Sequence, residues 1–313
     1  MAGLLKKPVK IALVQLASGS DKAANLKHAR EKVLEAASSG AEIVVLPECF
    51  NSPYGTQYFP KYAEQLLPSP PSEEQAPSFY ALAAMARDAG VFLIGGSIPE
   101  REVVGKAGTE EKEKEGKEKE KLYNTSLVFG RKGELLATHR KVHLFDIDIP
   151  GGITFMESEV LSPGNKVTIV DFEGYGKVGL GICYDVRFPE LAMVAARKGA
   201  WGVFYPGAFN TTTGPLHWRL LGQSRAVDNQ VYVAMCSPAR DESASYRAWG
   251  HSLVADPMGK VLGEAGEGEE IIYAELDGAE IEKTRKGIPV SEQRRFEVYP
   301  DVSKGAVKYE EDP

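Results

Sequence analysis

Cys183 is the residue of the chain best placed to act as a nucleophile. It ends the apolar strand pattern Val178–Cys183, and a helical pattern begins six residues later at Pro189. The end of a strand that leads into a helix is where α/β enzymes place nucleophiles. Free N–H groups at the start of a helix lower a thiol pKa and bind an oxyanion. A buried structural cysteine is the alternative for this residue taken alone.

Glu48 and Lys141 each lie at the end of a strand pattern elsewhere in the chain. Glu48 comes directly after Ile43–Pro47, so a carboxylate lies at the tip of a buried strand. A carboxylate there acts either as a partly desolvated general base or as an N-cap for the next segment. Lys141 ends another strand pattern, where a lone lysine is usually solvated. Neither residue identifies a reaction by itself.

His139 and His143 lie on the same strand face as Lys141, which suggests a metal site. Asp146 and Asp148 follow within five residues. The spacing fixes no third ligand, however, and Lys141 would share the face of the two histidines. The chain also contains neither GxGxxG nor GxxxxGK followed by Ser or Thr, the phosphate-binding patterns. We therefore expect neither a metal nor a nucleotide cofactor.

The composition excludes several classes of protein. The 313 residues are 43% hydrophobic and 26% charged, values typical of a soluble globular chain. The net charge of −7 argues against a general binder of nucleic acid or membrane surfaces, which needs a basic face. No apolar run approaches the ~20 residues that cross a bilayer. Because Cys49, Cys183 and Cys236 form no CxxC pair or disulfide framework, we expect a cytoplasmic protein, with a mitochondrial pool left open.

Strand and helix patterns alternate along the chain and must position these side chains. The predicted strands are 10–16, 43–46, 91–98, 122–129, 134–142, 167–172, 177–183, 201–205, 231–236, 250–255 and 270–276. The predicted helices are 23–37, 73–89, 189–198 and 215–229. The strands are too continuously apolar for a sheet with one solvated face. The pattern therefore predicts one large α/β domain with a mixed sheet that is covered on both faces.

Residues 105–121 differ from the rest of the chain. They contain six Lys and six Glu among seventeen residues, and their net charge is zero. Such a segment cannot bury apolar surface, so we predict a solvated hairpin insertion. The core of the domain then spans about 10–299, and residues 300–313 form a C-terminal tail.

Three segments taken together resemble the signature segments of the nitrilase superfamily. They are Leu46–Glu48, His139–Leu144 and Gly181–Glu190, and they occur in the order of that family. The resemblance implies a single carbon-nitrogen hydrolase domain, 1–313, folded as a four-layer αββα sandwich with two mixed β-sheets. It also implies a catalytic triad of Glu48 as general base, Lys141 as the cation at the oxyanion and Cys183 as nucleophile.

Four further segments resemble the omega-amidase branch of that superfamily: Pro47–Gly55, Phe145–Gly151, Tyr205–Pro215 and Ser224–Gln230. This resemblance implies hydrolysis of the terminal amide of 2-oxoglutaramate or 2-oxosuccinamate through a cysteine thioester, without a cofactor. It implies a small carboxylated amide as substrate and a homodimer or higher homo-oligomer. The acidic composition, rather than the resemblance, is the reason to expect no nucleic-acid or membrane partner.

The resemblance assigns supporting residues as well. Glu157 matches the second glutamate of the family, which orients Lys141 or the hydrolytic water, and the backbone N–H of Tyr184 would share the oxyanion. The distal carboxylate and the keto end of the substrate would be held by Tyr54, Arg187, Phe209 and Thr213.

Two other functions stay open at this stage. A deaminated-glutathione amidase or an N-carbamoyl amidohydrolase would share the triad and differ in the pocket, and the stretch 208–212 favours the omega-amidase over both. A non-catalytic binding protein on the same fold is the second alternative. It is disfavoured because the chain has Glu48, Lys141 and Cys183 intact, and a binding protein has no need of all three.

Overall fold

The computed structural model of the protein describes residues 3–104, 119–151 and 153–299. The first half of the chain contains β1 (Val9–Gln15), α1 (Lys22–Ser38), β2 (Ile43–Val45), α2 (Phe59–Tyr62), β3 (Glu64–Gln65), α3 (Pro77–Ala89), β4 (Phe92–Ile94), β5 (Ile98–Val104), β6 (Lys119–Phe129), β7 (Leu135–Arg140), β8 (Asp146–Asp148) and β9 (Thr154–Met156). The second half contains β10 (Thr168–Phe172), β11 (Gly176–Leu180), α4 (Pro189–Arg197), β12 (Ala200–Pro206), α5 (Gly214–Asn229), β13 (Tyr232–Cys236), β14 (Leu253–Ala255), β15 (Val261–Glu264), β16 (Glu270–Leu276), α6 (Gly278–Gly287) and α7 (Val290–Gln293). Short 3₁₀ turns cover Glu157–Glu159, Cys183–Arg187 and Phe296–Val298.

Two large mixed sheets form the centre of the fold. Within the described residues, the first sheet has the strand order β16-β1-β2-β4-β6-β5-β3. Strands β4 and β5 pair with one edge of β6, and β7 pairs with the other edge. The second sheet has the order β10-β11-β12-β13-β14-β15. In each sheet three strands run parallel, β1-β2-β4 and β11-β12-β13, and antiparallel strands flank them. Strands β8 and β9 pair separately.

Alternation along the strands produces four layers. On β1, Ile11 and Leu13 point into a core that they share with Val178 and Leu180 of β11, so the two sheets pack face to face. The intervening residues of the first sheet pack on α1 and α3, and the outer face of the second sheet packs on α4 and α5. This arrangement confirms the αββα sandwich with two mixed sheets.

The predicted strand 91–98 is in fact two strands, β4 and β5, which pair with successive parts of one edge of β6. The chain bends between them at Gly95–Ser97. Gly96 has φ +61°, and a Cβ at this position would lie 2.1 Å from the Pro47 carbonyl oxygen. Only glycine tolerates both conditions. The bend therefore packs directly against the segment that carries Glu48.

Several predicted boundaries were also wrong. Helix α3 begins at Pro77 rather than 73, because proline favours the first turn of a helix. Strand β11 ends at Leu180, so Cys183 lies beyond the strand rather than at its end. The helix α6 and the pair β8–β9 were not predicted.

The structure describes only the end of the predicted charged insertion. Residues 119–121 belong to β6, where they pair with 102–104 of β5. The remaining part of the predicted insertion, 105–118, and the predicted tail, 300–313, lie outside the described residues. The single-domain boundary 1–313 stays a prediction. Among the described helices, none combines the length and the apolar character needed to cross a membrane.

Candidate active site

Glu48 lies just past the carboxyl end of β2 and is buried. Its Oε1 accepts hydrogen bonds from Asn124 Nδ2 at 2.8 Å and from Lys141 Nζ at 3.1 Å, and its Oε2 accepts one from the Ala208 N–H at 2.8 Å. Burial raises the pKa of Glu48, as does the nearby Glu157 carboxylate, although Lys141 opposes the shift. The result is a desolvated carboxylate with a raised pKa, which is the property of a general base.

Lys141 lies between two carboxylates and has no exposed surface. Its Nζ lies 3.1 Å from Glu48 Oε1 and 2.9 Å from Glu157 Oε1. Burial alone would lower the pKa of Lys141, but Glu157 and Glu48 outweigh burial and hold the pKa well above its usual value. The ammonium group therefore stays charged at neutral pH.

Glu157 starts the 3₁₀ turn after β9 and is also buried. Its Oε1 accepts a hydrogen bond from the Tyr54 hydroxyl at 2.8 Å in addition to the one from Lys141. Its Oε2 accepts one from the Phe145 N–H at 2.8 Å. With both oxygens held, Glu157 fixes the position of the Lys141 ammonium group.

Cys183 begins the 3₁₀ turn that follows β11 and has φ +48°. A non-glycine residue in this left-handed region costs about 1–3 kcal/mol, and such strain clusters at functional sites. The turn is also tightly packed, since a Cβ on Gly207 would lie 3.0 Å from the Cys183 Cα. The next residue, Tyr184, lies at the start of this turn. Backbone N–H groups at the start of such a turn have no carbonyl partner within it.

The pKa of the Cys183 thiol is raised, whereas the sequence predicted that it would be lowered. Burial raises this pKa well above its usual value, and the negative charge of Glu48 raises it further. Lys141 and the Ala208 N–H act in the expected downward direction but are outweighed. Cys183 is therefore a neutral thiol beside a carboxylate that can accept its proton.

Asp185 is a functional residue that the sequence analysis missed. It lies in the same turn as Cys183 and accepts hydrogen bonds from the Ile182 N–H at 2.9 Å and from the His143 N–H and Nδ1 at 2.9 and 2.8 Å. His139 Nε2 lies 3.4 Å from its other side. Both histidines of the proposed metal alternative thus contact this carboxylate, and no group of three metal-ligating side chains occurs in the described part of the chain.

A narrow cleft of about 170 Å³ borders Cys183. Its walls include Arg187, Phe209 and Thr213, which the resemblance assigns to substrate binding, together with Tyr246, which it does not. The Arg187 guanidinium lies 4.7 Å from the centre of the Phe209 ring, and its Nη1 lies 3.2 Å from His217 Nδ1. Within residues 3–104, 119–151 and 153–299, no carboxylate lies within 4.0 Å of this guanidinium. Burial lowers the pKa of Arg187.

Tyr54 does not line this cleft. Its hydroxyl donates to Glu157, and its ring packs against Phe155 and Tyr246, with ring centres 5.9 and 4.5 Å apart. The structure therefore brings Arg187, Phe209 and Thr213 together beside Cys183. Tyr54 instead contacts Glu157 and lines a neighbouring cavity together with Glu48. Asn124, another missed residue, contacts Glu48 from β6, and no local signal in the sequence identifies it.

The fold and this site define a hydrolase of carbon–nitrogen bonds. The family model described as "Carbon-nitrogen hydrolase" matches residues 10–286, and the chain belongs to that family. It is 54% identical to omega-amidase NIT3 of Saccharomyces cerevisiae, over 96% of this chain and 98% of that protein. It is 52% identical to omega-amidase NIT2 of Homo sapiens, over 93% of this chain and 96% of that protein.

A solved structure gives the same result for the fold. The crystal structure of Saccharomyces cerevisiae Nit3, a member of branch 10 of the nitrilase superfamily, matches with a TM-score of 0.81 and 51% identity, covering 94% of this chain and 98% of that one. The superfamily, the fold class and the amide-hydrolysing activity that the resemblance implied are thus confirmed.

Proposed function

We propose that this chain is an omega-amidase, which hydrolyses the terminal amide of 2-oxoglutaramate and 2-oxosuccinamate to the 2-oxo dicarboxylate and ammonia. Relatives named omega-amidase, identical at more than half of the aligned positions, support this substrate class. The observation that carries it is Arg187. This half-buried guanidinium shares a cleft with Cys183 and has no carboxylate partner among the described residues.

Acylation uses Cys183, Glu48 and Lys141 together. Glu48 takes the thiol proton while Sγ bonds to the amide carbonyl carbon. Lys141 and the Tyr184 N–H stabilise the oxyanion that forms, and one such donor is worth about 2.7–4 kcal/mol. When the oxyanion collapses, the C–N bond breaks and Glu48 returns the proton to nitrogen. Ammonia leaves and a Cys183 thioester remains.

In deacylation Glu48 and Lys141 keep these roles, and water replaces the thiol as the nucleophile. Glu48 takes a proton from water, and the water oxygen bonds to the thioester carbonyl carbon. Lys141 stabilises the second oxyanion as it did the first. The C–S bond then breaks, the carboxylic acid leaves, and the thiol regains its proton.

Arg187 selects the substrate by its distal carboxylate. A guanidinium binds a carboxylate through two parallel hydrogen bonds, and partial burial strengthens the pair. An amide without this carboxylate leaves the Arg187 charge uncompensated in the cleft. Such a site discriminates against neutral amides more strongly than an apolar pocket does.

The test is ammonia release from 2-oxoglutaramate, measured beside glutamine, deaminated glutathione and butyramide. We expect 2-oxoglutaramate to be the preferred substrate and its hydrolysis to be lost in Cys183→Ala. Cys236→Ala is the matched control, because Cys236 is an equally buried cysteine on β13 outside the cleft. Preference for deaminated glutathione would contradict the substrate assignment, and Cys183-independent activity would contradict the mechanism.

A further inference from the structure

Helix α5 holds Arg187 at two points. The Arg187 carbonyl oxygen accepts a hydrogen bond from Arg225 Nη2 at 3.0 Å, and Arg225 Nε donates to the Val186 carbonyl oxygen at 2.8 Å. The Arg187 side chain donates from Nη1 to His217 Nδ1 at 3.2 Å. His217 and Arg225 lie about two turns apart on α5. One helix therefore fixes both the backbone and the guanidinium of Arg187.

His217 is the only side chain that accepts a hydrogen bond from the Arg187 guanidinium in the part of the chain that the structure describes. Arginine can only donate, so His217 Nδ1 is the acceptor and the ring proton lies on Nε2. The ring is therefore neutral. A carboxylate partner in its place would neutralise Arg187, whereas a neutral imidazole orients the guanidinium and leaves its charge for a ligand.

The contact through Nη1 leaves the Nε and Nη2 edge of the guanidinium for that ligand. This edge carries two parallel N–H groups, the geometry that binds both oxygens of a carboxylate. The centre of the Phe209 ring lies 4.7 Å from the guanidinium carbon. Phe209 packs in turn on Trp218, with ring centres 5.1 Å apart, and Trp218 follows His217 on α5. Two neighbouring residues of α5 thus restrict the guanidinium, one directly and one through Phe209.

We propose that His217 is a positioning residue for substrate selection, which holds the Arg187 guanidinium in the orientation that binds the distal carboxylate. The inference rests on the proposed function, because it concerns the residue by which that function recognises its substrate. An arginine side chain loses rotamer freedom when it binds a ligand, and a partner that restrains it beforehand lowers this cost. His217 itself needs no contact with the substrate.

Substitutions at His217 test the proposal. His217→Leu removes the acceptor, and we expect it to raise KM for 2-oxoglutaramate by about tenfold, the effect of one hydrogen bond to a charged group, with kcat nearly unchanged. Hydrolysis of butyramide, which has no distal carboxylate, should not change. His217→Ala removes the same acceptor with a good helix former and should behave alike, so the test does not depend on one variant folding.

Two further variants serve as a rescue and a control. His217→Asn should recover most of the KM, because asparagine Oδ1 offers an acceptor close to the position of histidine Nδ1. The control is His28→Leu, because the His28 ring also contacts a side chain, that of Glu269, but lies on α1 outside the cleft. It should change the hydrolysis of neither amide.

His217→Leu in an Arg187→Ala background separates an indirect role from a direct one. If His217 acts through Arg187, the second substitution adds no further rise in KM to the first. A further rise of similar size would show that His217 contacts the substrate itself, and this would overturn the proposal.

Two other results would also overturn it. An unchanged KM in His217→Leu would show that Arg187 needs no partner to bind the carboxylate. An equal loss with 2-oxoglutaramate and butyramide would show that His217 supports the fold of the cleft. Failure of the proposed function looks different: Arg187→Ala alone would leave the preference for 2-oxoglutaramate over butyramide unchanged, or wild-type protein would release no ammonia from 2-oxoglutaramate.

Discussion

The carboxylate of Asp185 accepts two hydrogen bonds from His143, one from the backbone N–H at 2.9 Å and one from Nδ1 at 2.8 Å. His143 follows Lys141 by two residues, and Asp185 follows Cys183 by two residues. One buried carboxylate therefore ties the segment that carries the cation to the turn that carries the thiol. Since oxyanion stabilisation depends on sub-ångström placement of both, this link is a positioning element of the site.

Asp185→Asn should destabilise the protein and weaken acylation without removing any reacting group. Burial alone would raise the pKa of Asp185, but hydrogen bonds from His139 and His143 outweigh it and hold this pKa well below its usual range. A lowered folded-state pKa stabilises the fold above the unfolded pKa, and this contribution is lost as pH falls. We expect a loss of about 2–4 kcal/mol at neutral pH. In urea unfolding, the difference between wild type and variant should shrink below about pH 4, and a pH-independent difference would contradict the argument.

Glu48→Gln should remove most of the amidase activity while leaving the site assembled. Glutamine keeps an acceptor oxygen for Asn124 and Lys141 and loses only the hydrogen bond from the Ala208 N–H, but it cannot take the thiol proton. General base catalysis is worth about 10²–10⁴-fold, so kcat should fall by this factor. The measurement is steady-state ammonia release, with thermal unfolding as the check on folding. Activity within tenfold of wild type would mean that another group is the base.

The same variant should make Cys183 react faster with iodoacetamide. The Glu48 charge raises the pKa of the Cys183 thiol, whereas Lys141 lowers it. Removing the first effect and keeping the second moves the thiol pKa down, so more thiolate is present at neutral pH. Alkylation rates measured against pH should show a lower midpoint in Glu48→Gln than in wild type. A higher midpoint would show that Glu48 does not act on the thiol through its charge.

The family could be predicted from the sequence because short local segments carry the resemblance, and the four-layer order followed from that resemblance alone. Glu48 and Lys141 each lie at the end of a strand pattern, and the continuously apolar strands predicted one doubly covered mixed sheet. The structure instead has two mixed sheets packed face to face, which no local pattern distinguishes from one. Gly95 and Gly96 are the local signal for the bend between β4 and β5, where one strand was predicted.

The contacts around these residues could not be predicted in the same way. Asn124 lies 76 positions from Glu48, and Tyr54 lies 103 positions from Glu157. Such pairs depend on strand register and loop packing, which no local pattern encodes. The direction of the Cys183 pKa shift is likewise a tertiary effect, because burial decides it and burial is a property of the whole fold.

Lys141→Met should destabilise the protein more at neutral pH than in mild acid. The substitution leaves the buried Glu48 without the cation that lowers its pKa, so that pKa rises further. A raised folded-state pKa stabilises the fold at low pH, and this contribution is lost as pH increases. We expect a destabilisation of about 3–5 kcal/mol at neutral pH and a smaller one in mild acid. Urea unfolding measures both, and Lys177→Met, at an exposed position on β11, is the control.

Arg187→Ala should raise KM for 2-oxoglutaramate and leave the hydrolysis of butyramide nearly unchanged. A hydrogen-bonded charge pair is worth about 1.5–3 kcal/mol, which corresponds to about 10–100-fold in KM. Arg187→Lys should recover only part of this loss, because an ammonium group is a point charge and cannot bind a carboxylate through two parallel bonds. Arg247→Ala removes an exposed arginine whose partner is Glu242 and should leave both substrates unaffected. If Arg187→Ala lowered the hydrolysis of the two substrates equally, Arg187 would support the Cys183 turn rather than recognise the distal carboxylate.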